Sequence, residues 1–321
     1  MKQIAVTFPC TMEQKEKLIQ SVPSDEAVFL FTNENKILRS SHIVIGEPEL
    51  VDILENPHLE WVQMTWAGTD KYTVNPGFPK HVRLCNMSGA FGVIMSEYAI
   101  GAILSLYRHF FDYRLQQMHG LWKDAGKEDS LCGKTVLFLG TGDICSHTAR
   151  RLKAFGTVNI GLKRELSGEI DGFDKLDTLS NIDAWLLKAD IVICALPNKP
   201  NTRMLLTKER LLSMKKEATL LNMGRGSLLS CDELNEVLDA GHLKYVVLDV
   251  TNPEPLPPEH PLWKQERVML TPHISGPSIN HCPDTQERIV DACCENLQRY
   301  FSGKPLLHEI MDSDFEYIRI N

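Results

Sequence analysis

The chain has 321 residues, 43% of them hydrophobic and 24% charged, with a formal net charge of -8 at pH 7. That length suits two globular domains, and the acidic balance argues against a general nucleic-acid or anionic-membrane binder, since both favour cationic surfaces. No stretch approaches the roughly 20 apolar residues of a membrane span, the N-terminal stretch lacks a signal-peptide apolar run, and the nine cysteines are scattered without CxxC spacing. A cytoplasmic protein with reduced thiols is therefore expected, without a disulfide framework and without an assigned metal site.

Short apolar runs alternate with helical patterns from the start, which predicts βαβ units and parallel sheets. Strands are expected at 2–8, 27–31, 42–46 and 60–64, with a helix at 11–21. Near Glu97 the texture changes, and the stretch 97–122 carries apolar residues at helical spacing over many turns. A helix with so broad an apolar face crosses between domains or packs on a partner subunit. A second series follows, with strands at 134–139, 157–162, 190–195, 218–223, 245–250 and near 267–271, and helical segments between the first five. A final helix spans about 284–301 and leads to a polar tail. The expected fold is α/β, with two Rossmann-like or flavodoxin-like domains built on doubly wound parallel sheets and a cleft between them. A tail that returns to the first unit makes one domain discontinuous, 1–98 with 277–321, around a second at 99–276.

In the second series a strand ends directly at Gly140-Thr141-Gly142-Asp143-Ile144-Cys145, where a helix opens. Glycines there permit a tight turn and close approach to a pyrophosphate, and the helix N-terminus offers unpaired N–H groups. The strand–turn–helix context is what gives this short pattern weight. Cys145 replaces the third glycine of the fingerprint. The next strand ends at Lys163-Arg164, where a carboxylate would accept the ribose hydroxyls of NAD. Two cations suit a 2′-phosphate instead, so NADP is expected in preference to NAD.

Three polar residues follow later strands. Arg225 stands between two glycines in NMGRGSLL, Glu254 in the Pro-rich DVTNPEPLPP, and His273 in TPHISG. Ligands of open α/β sheets bind at such strand ends. Each residue also has a plain structural use as a loop cap or surface charge, and it is their joint order that points to a site.

With these stretches, and with WVQMTWAGTD, GKTVLFLGTGDI, ALPNKPNT and HPLW, the chain resembles the D-isomer-specific 2-hydroxyacid dehydrogenase family over nearly its whole length. Within it, the chain is most similar to the glyoxylate/hydroxypyruvate reductase-like branch. The resemblance implies hydride transfer between NAD(P)H and a small 2-oxoacid or D-2-hydroxyacid. His273 would be the acid/base, Glu254 the partner favouring its protonated form, and Arg225 the binder of substrate carboxylate and carbonyl. Trp66, Ala67 and Gly68 would line the substrate site, the last two through their N–H groups. Cofactor contacts would come from Gly140, Gly142, Asp143, Ile144, Lys163, Arg164, Leu196, Pro197, Thr202, Met223, Asp249 and Gly276, with Asp249 facing the nicotinamide amide. The family also implies a homodimer built on the apolar 97–122 segment. Alternatives of the same fold are a corepressor-like nucleotide sensor and a phosphoglycerate dehydrogenase-like enzyme. The latter needs an extra cationic pocket, for which Arg83 is the one candidate.

Overall fold

The computed structural model describes all residues except Ser167, Ser278 and 317–321. The chain divides into two compact units, Met1–Phe91 with Pro277–Asn321, and Gly92–Gly276. Ser278 and 317–321, part of the expected 277–321 segment, lie outside the described residues.

The first unit carries β1 (Lys2–Val6), α1 (Met12–Gln20), β2 (Ala27–Phe31), α2 (Asn35–Leu38), β3 (Ile43–Ile45), α3 (Leu50–Leu54), β4 (Trp61–Gln63), α4 (Asp70–Thr73) and β5 (Arg83–Cys85). Its sheet is parallel throughout, in the order β2-β1-β3-β4-β5. Thr11 and Gln14 form a reciprocal cap that starts α1: Gln14 N–H donates to Thr11 Oγ1 and Thr11 N–H to Gln14 Oε1. The sequence patterning did not anticipate β5, three residues long with a half-buried arginine at its start. That arginine, Arg83, donates to both oxygens of Glu309 at 2.8 and 2.7 Å. Its charge is thus taken up by the returning tail, which weakens its candidacy for a phosphate pocket.

The second unit begins with α5 (Gly92–Tyr107) and α6 (Phe110–Met118). The apolar stretch does not form one continuous helix. His109 adopts φ 52°, and its ring is bonded to Asp112 Oδ2 at 2.9 Å and to Lys127 O at 3.1 Å. A left-handed residue cannot continue a right-handed helix, and local bonds to an Asx-type partner hold it there. The α5 face is buried, whereas α6 buries none of its residues.

There follow β6 (Thr135–Leu139), α7 (Asp143–Lys153), β7 (Val158–Lys163), β8 (Lys175–Thr178), α8 (Ile182–Leu186), β9 (Ile191–Cys194), α9 (Lys208–Ser213), β10 (Thr219–Asn222), α10 (Cys231–Asp239), β11 (Tyr245–Leu248) and β12 (Val268–Leu270). The seven strands are parallel in the order β12-β11-β10-β9-β6-β7-β8. The chain winds outward in one direction from β6 to β8 and in the other from β9 to β12, so strand order reverses between β6 and β9. Central strands β9 and β10 read IVIC and TLLN and are buried throughout, as expected where both faces are covered. The unanticipated β8, KLDT, is an edge strand with no buried residue, so it lacks the apolar run that marks its neighbours.

The long helix α11 (Pro283–Phe301) belongs to the first unit. Proline at its start suits a position whose N–H has no intrahelical partner. Gln286 on this helix donates to Gln14 Oε1 and Pro9 O, which ties α11 to the α1 start. Cys293 and Cys294 are buried here, and burial pushes the Cys294 thiol up to about 11.

Candidate active site

At the reversal point, β6 delivers the glycine turn. Gly140 has φ +106°, donates its N–H to Leu162 O at 3.0 Å, and faces the Ala195 carbonyl of the β9 strand end. An added Cβ there would meet that carbonyl and Leu196 at 3.4 Å, with the φ penalty on top. Gly142 caps α7 at φ -73°, and an added Cβ would meet nothing within 4 Å. Beside this open face lie the first-turn N–H groups of α7, including those of Asp143 and Ile144, which have no intrahelical partner. That combination of free space and convergent donors fits a pyrophosphate. The Asp143 carboxylate itself is turned toward Gly92 and lies 3.5 Å from His147 Nε2. Cys145, where the fingerprint has a third glycine, is 1% exposed, and burial pushes its thiol up to about 12. It is a neutral packing residue on the sheet side of α7.

The remaining expected cofactor residues stand at the same ends of the same sheet. Lys163 closes β7 and Arg164 follows it, exposed. Leu196 and Pro197 follow β9. Thr202 Oγ1 donates to Pro197 O at 2.6 Å, so this buried threonine shapes the loop. Met223 follows β10 and donates its N–H to Cys194 O. Gly276 closes the unit.

Arg225 leaves β10 between two glycines that have no room for a side chain. A Cβ on Gly226 would lie 1.9 Å from Thr251 O, and one on Gly224 2.7 Å from Leu196 O. The backbone of the neighbouring strand ends therefore closes on both sides of Arg225. Its Nη1 donates to Gly224 O at 2.7 Å, and its own carbonyl accepts from Asn222 Nδ2 at 3.0 Å.

Asp249 follows β11 and is 1% exposed. Its Oδ1 accepts from Thr271 Oγ1 at 2.7 Å and Ile274 N at 2.8 Å, and its Oδ2 from Ser275 N at 2.9 Å. Between those donors sits His273, with φ 54° and its N–H donated to Asp249 O at 2.9 Å. Its Nδ1 is 2.6 Å from Glu254 Oε1, and both side chains are about half exposed, 50% and 43%. Glu254 stands in a loop with cis peptide bonds before Pro253 and Pro255. The structure thus brings the histidine and the glutamate into direct contact, on the sheet that also carries Arg225 and the glycine turn.

In the first unit, Trp66, Ala67 and Gly68 follow β4. Trp66 is 50% exposed. Ala67 O accepts from Asn86 Nδ2 at 2.7 Å. Beneath the turn lies a carboxylate that motif reading missed. Glu47 Oε1 accepts from Thr65 N at 2.6 Å and from Thr65 Oγ1 at 2.9 Å, and the Trp66 N–H also donates to it. Burial pushes this carboxyl above the usual range, against the pull of those donors. Its signal in the sequence was an acid two residues after the buried strand IVI, where a carboxylate needs partners. Met64 and Phe91 are 0% and 5% exposed, while Trp263 is 53% exposed.

Residues 100–275, more than half of the chain, match the family model of the D-isomer specific 2-hydroxyacid dehydrogenase NAD binding domain. The chain belongs to the D-isomer-specific 2-hydroxyacid dehydrogenase family. The match lies wholly within the second unit, and the family makes the chain an NAD(P)-dependent 2-hydroxyacid dehydrogenase. A curated relative, glyoxylate/hydroxypyruvate reductase A of Serratia proteamaculans, is 34% identical over 184 residues, 57% of this chain and 58% of that one. A crystal structure of a D-isomer specific 2-hydroxyacid dehydrogenase family protein from Aeromonas salmonicida superposes with a TM-score of 0.86 at 30% identity, covering 97% of this chain and 99% of the other. The fold is shared as well by an NADPH-dependent glyoxylate/hydroxypyruvate reductase of Sinorhizobium meliloti, solved with NADP and sulfate. There the TM-score is 0.81 at 24% identity, over 98% and 99% of the two chains.

The two kinds of glycine in this dehydrogenase separate by substitution. Gly226→Ala forces a Cβ into the Thr251 carbonyl and should cost about 1–3 kcal/mol of stability, as overpacking does. Gly142→Ala should leave the melting temperature near that of the parent, yet weaken NAD(P)H binding by about tenfold, because its methyl fills the open face that the pyrophosphate would approach. Calorimetry and fluorescence titration measure both, and native affinity in Gly142→Ala would remove the pyrophosphate from this turn.

Proposed function

We propose that this dehydrogenase is an NADP-preferring reductase of small 2-oxoacids such as glyoxylate and hydroxypyruvate, with His273 as proton donor. The observation that carries the reading is the 2.6 Å contact between His273 Nδ1 and Glu254 Oε1. A carboxylate on Nδ1 accepts the proton there, which fixes the ring orientation and leaves Nε2 as the exchangeable position. Bound NADPH supplies the hydride that reduces the carbonyl carbon. His273 Nε2 gives its proton to the carbonyl oxygen as charge develops, and takes one back in the oxidative direction. Arg225, a permanent planar cation, binds the substrate carboxylate and polarises the carbonyl.

Further assignments belong to the same reading. Trp66, Ala67 and Gly68 take the substrate-binding role that the family resemblance implies, which makes the first unit the substrate domain. Three donors occupy Asp249, and a carboxylate has about four acceptor sites, so Oδ2 retains one for the nicotinamide amide. Lys163 and Arg164 bind the adenosine 2′-phosphate. Nine cysteines without a disulfide support a reducing compartment, the cytoplasm. Among the described residues no helix is long and apolar enough to cross a membrane.

The segment from α6 to Trp122 exposes Phe110, Phe111, Leu115, Met118, Leu121 and Trp122. Such a run of apolar side chains on one short segment exceeds the scattered exposure usual in monomers. Its proposed occupant is a second copy of the chain, in a homodimer.

Three measurements test these proposals. His273→Ala should lower kcat about 10²- to 10⁴-fold on a panel of glyoxylate, hydroxypyruvate, pyruvate and phenylpyruvate, the range of general acid catalysis, with NADPH binding preserved. Equal rates in parent and variant would take His273 out of the reaction. Replacing Lys163 and Arg164 together by Ala should raise KM for NADPH about tenfold or more while leaving that for NADH nearly unchanged. Unaltered discrimination would return the cofactor preference to NAD. Light scattering should give twice the 36.3 kDa chain mass, and Leu115→Glu with Trp122→Glu should give the monomer; a parent that is monomeric at micromolar concentration contradicts the dimer.

A further inference from the structure

His273 is held in a backbone region that a side chain of its size rarely adopts, φ 54°. Such residues are strained and persist only where their surroundings over-determine them. The surroundings here form one connected set within the second unit. Thr271 stands two residues before His273. Its Oγ1 lies 2.7 Å from Asp249 Oδ1 and 2.6 Å from Tyr98 Oη. A hydroxyl has a single proton, and the Asp249 carboxylate is an acceptor, so Thr271 donates to Asp249. The Tyr98 phenol must then donate to Thr271. Burial pushes that phenol up to about 12, against the opposing effect of its bond to Thr271, so it remains a donor at any working pH. The chain of donors runs from Tyr98 on α5, through Thr271 after β12, to Asp249 after β11. Asp249 also takes the N–H groups of Ile274 and Ser275, on the far side of the histidine.

We infer that the Tyr98–Thr271–Asp249 hydrogen-bond chain is the positioning device of His273, with Thr271 and Tyr98 as positioning residues for proton transfer. The inference rests on the reading of His273 as the proton donor. Thr271 is the hinge of the device because it alone bonds to both neighbours. Without its hydroxyl, Asp249 loses one of three donors and Tyr98 loses its acceptor. The turn then gains freedom about the one residue whose ring must meet the carbonyl oxygen within a few tenths of an ångström. Misplacement of a catalytic group by about 1 Å costs on the order of a hundredfold in rate.

The test compares Thr271→Val, which keeps the shape and removes the hydroxyl, with Thr271→Ser, which keeps the hydroxyl. Tyr98→Phe serves as the milder second variant. Rates are measured with NADPH and whichever of glyoxylate, hydroxypyruvate or pyruvate the parent reduces fastest. NADPH affinity is titrated, and the rate of diethyl pyrocarbonate modification of His273 is read by peptide mass mapping. The expected result for Thr271→Val is a kcat loss of about 10- to 100-fold with KM and NADPH affinity nearly unchanged, and altered modification of His273. Thr271→Ser should retain most of kcat, and Tyr98→Phe should fall between. Native kcat and native modification rate in Thr271→Val would overturn the inference, as would equal losses in the Val and Ser variants that track a lowered melting temperature. His273→Ala separates the two levels. If it is inactive while Thr271→Val is native, the positioning role alone falls; if it is fully active, the proton-donor reading falls.

Discussion

The Asp249 carboxylate gathers Thr271 Oγ1–H, Ile274 N–H and Ser275 N–H while 1% exposed, and its backbone carbonyl takes the N–H of His273. Burying such a group without partners is costly, so the donors are a condition for its burial as well as a consequence. Because the donors come from the segment after β12 and the acceptor from the end of β11, the interaction welds two adjacent strand ends into one rigid corner. Glu254 leaves from the same corner, five residues after Asp249. The His273–Glu254 contact therefore follows from how Asp249 is satisfied, and strand register alone would not produce it.

A second constraint is steric. The backbones that follow β9, β10 and β11 approach so closely that Gly224 and Gly226 admit no Cβ. Arg225 is fixed between them, and a long flexible cation acquires a defined root. On a chain whose net charge is -8, the proposed anion recognition depends on such local placement. Arg225 and the Lys163-Arg164 pair stand at the C-terminal ends of the strands, where α7 adds the positive end of its dipole.

Periodicity and motif order carried much of this from the sequence, and the failures have separate causes. The parallel strands of the second unit were legible because burial on both faces leaves unbroken apolar runs. Strand β8 was not, since an edge strand reading KLDT has no such run. Strand β5 was too short to show a period. The helix break at His109 has no glycine or proline to announce it, only local bonds to Asp112 and Lys127. Arg225, Glu254 and His273 stood out because each follows a strand within a recognisable motif, and two of them, His273 and Glu254, are in contact. Glu47, Thr271 and Tyr98 were passed over because what matters about them is a partner distant in sequence. Tyr98 lies 173 positions from Thr271, and nothing in the local pattern of an apolar helix distinguishes a tyrosine that packs from one that also donates.

Exposure divides the site into two classes of residue. His273 and Glu254 are about half exposed, and an exposed ion pair contributes only about 0–1 kcal/mol to stability. The left-handed backbone at His273 costs about as much or more. The pair therefore cannot be accounted for as a device that holds the fold together; on balance it is a local burden. Asp249 and the partly buried Tyr98 and Thr271 have the opposite character, since they lie at or below the surface and supply the bonds that offset this burden. As the proposed proton donor, His273 has to remain accessible to its substrate, and accessibility removes the packing that would otherwise fix it. Placing the fixing interactions on neighbouring residues beneath the turn, Thr271 and Asp249 among them, satisfies both demands.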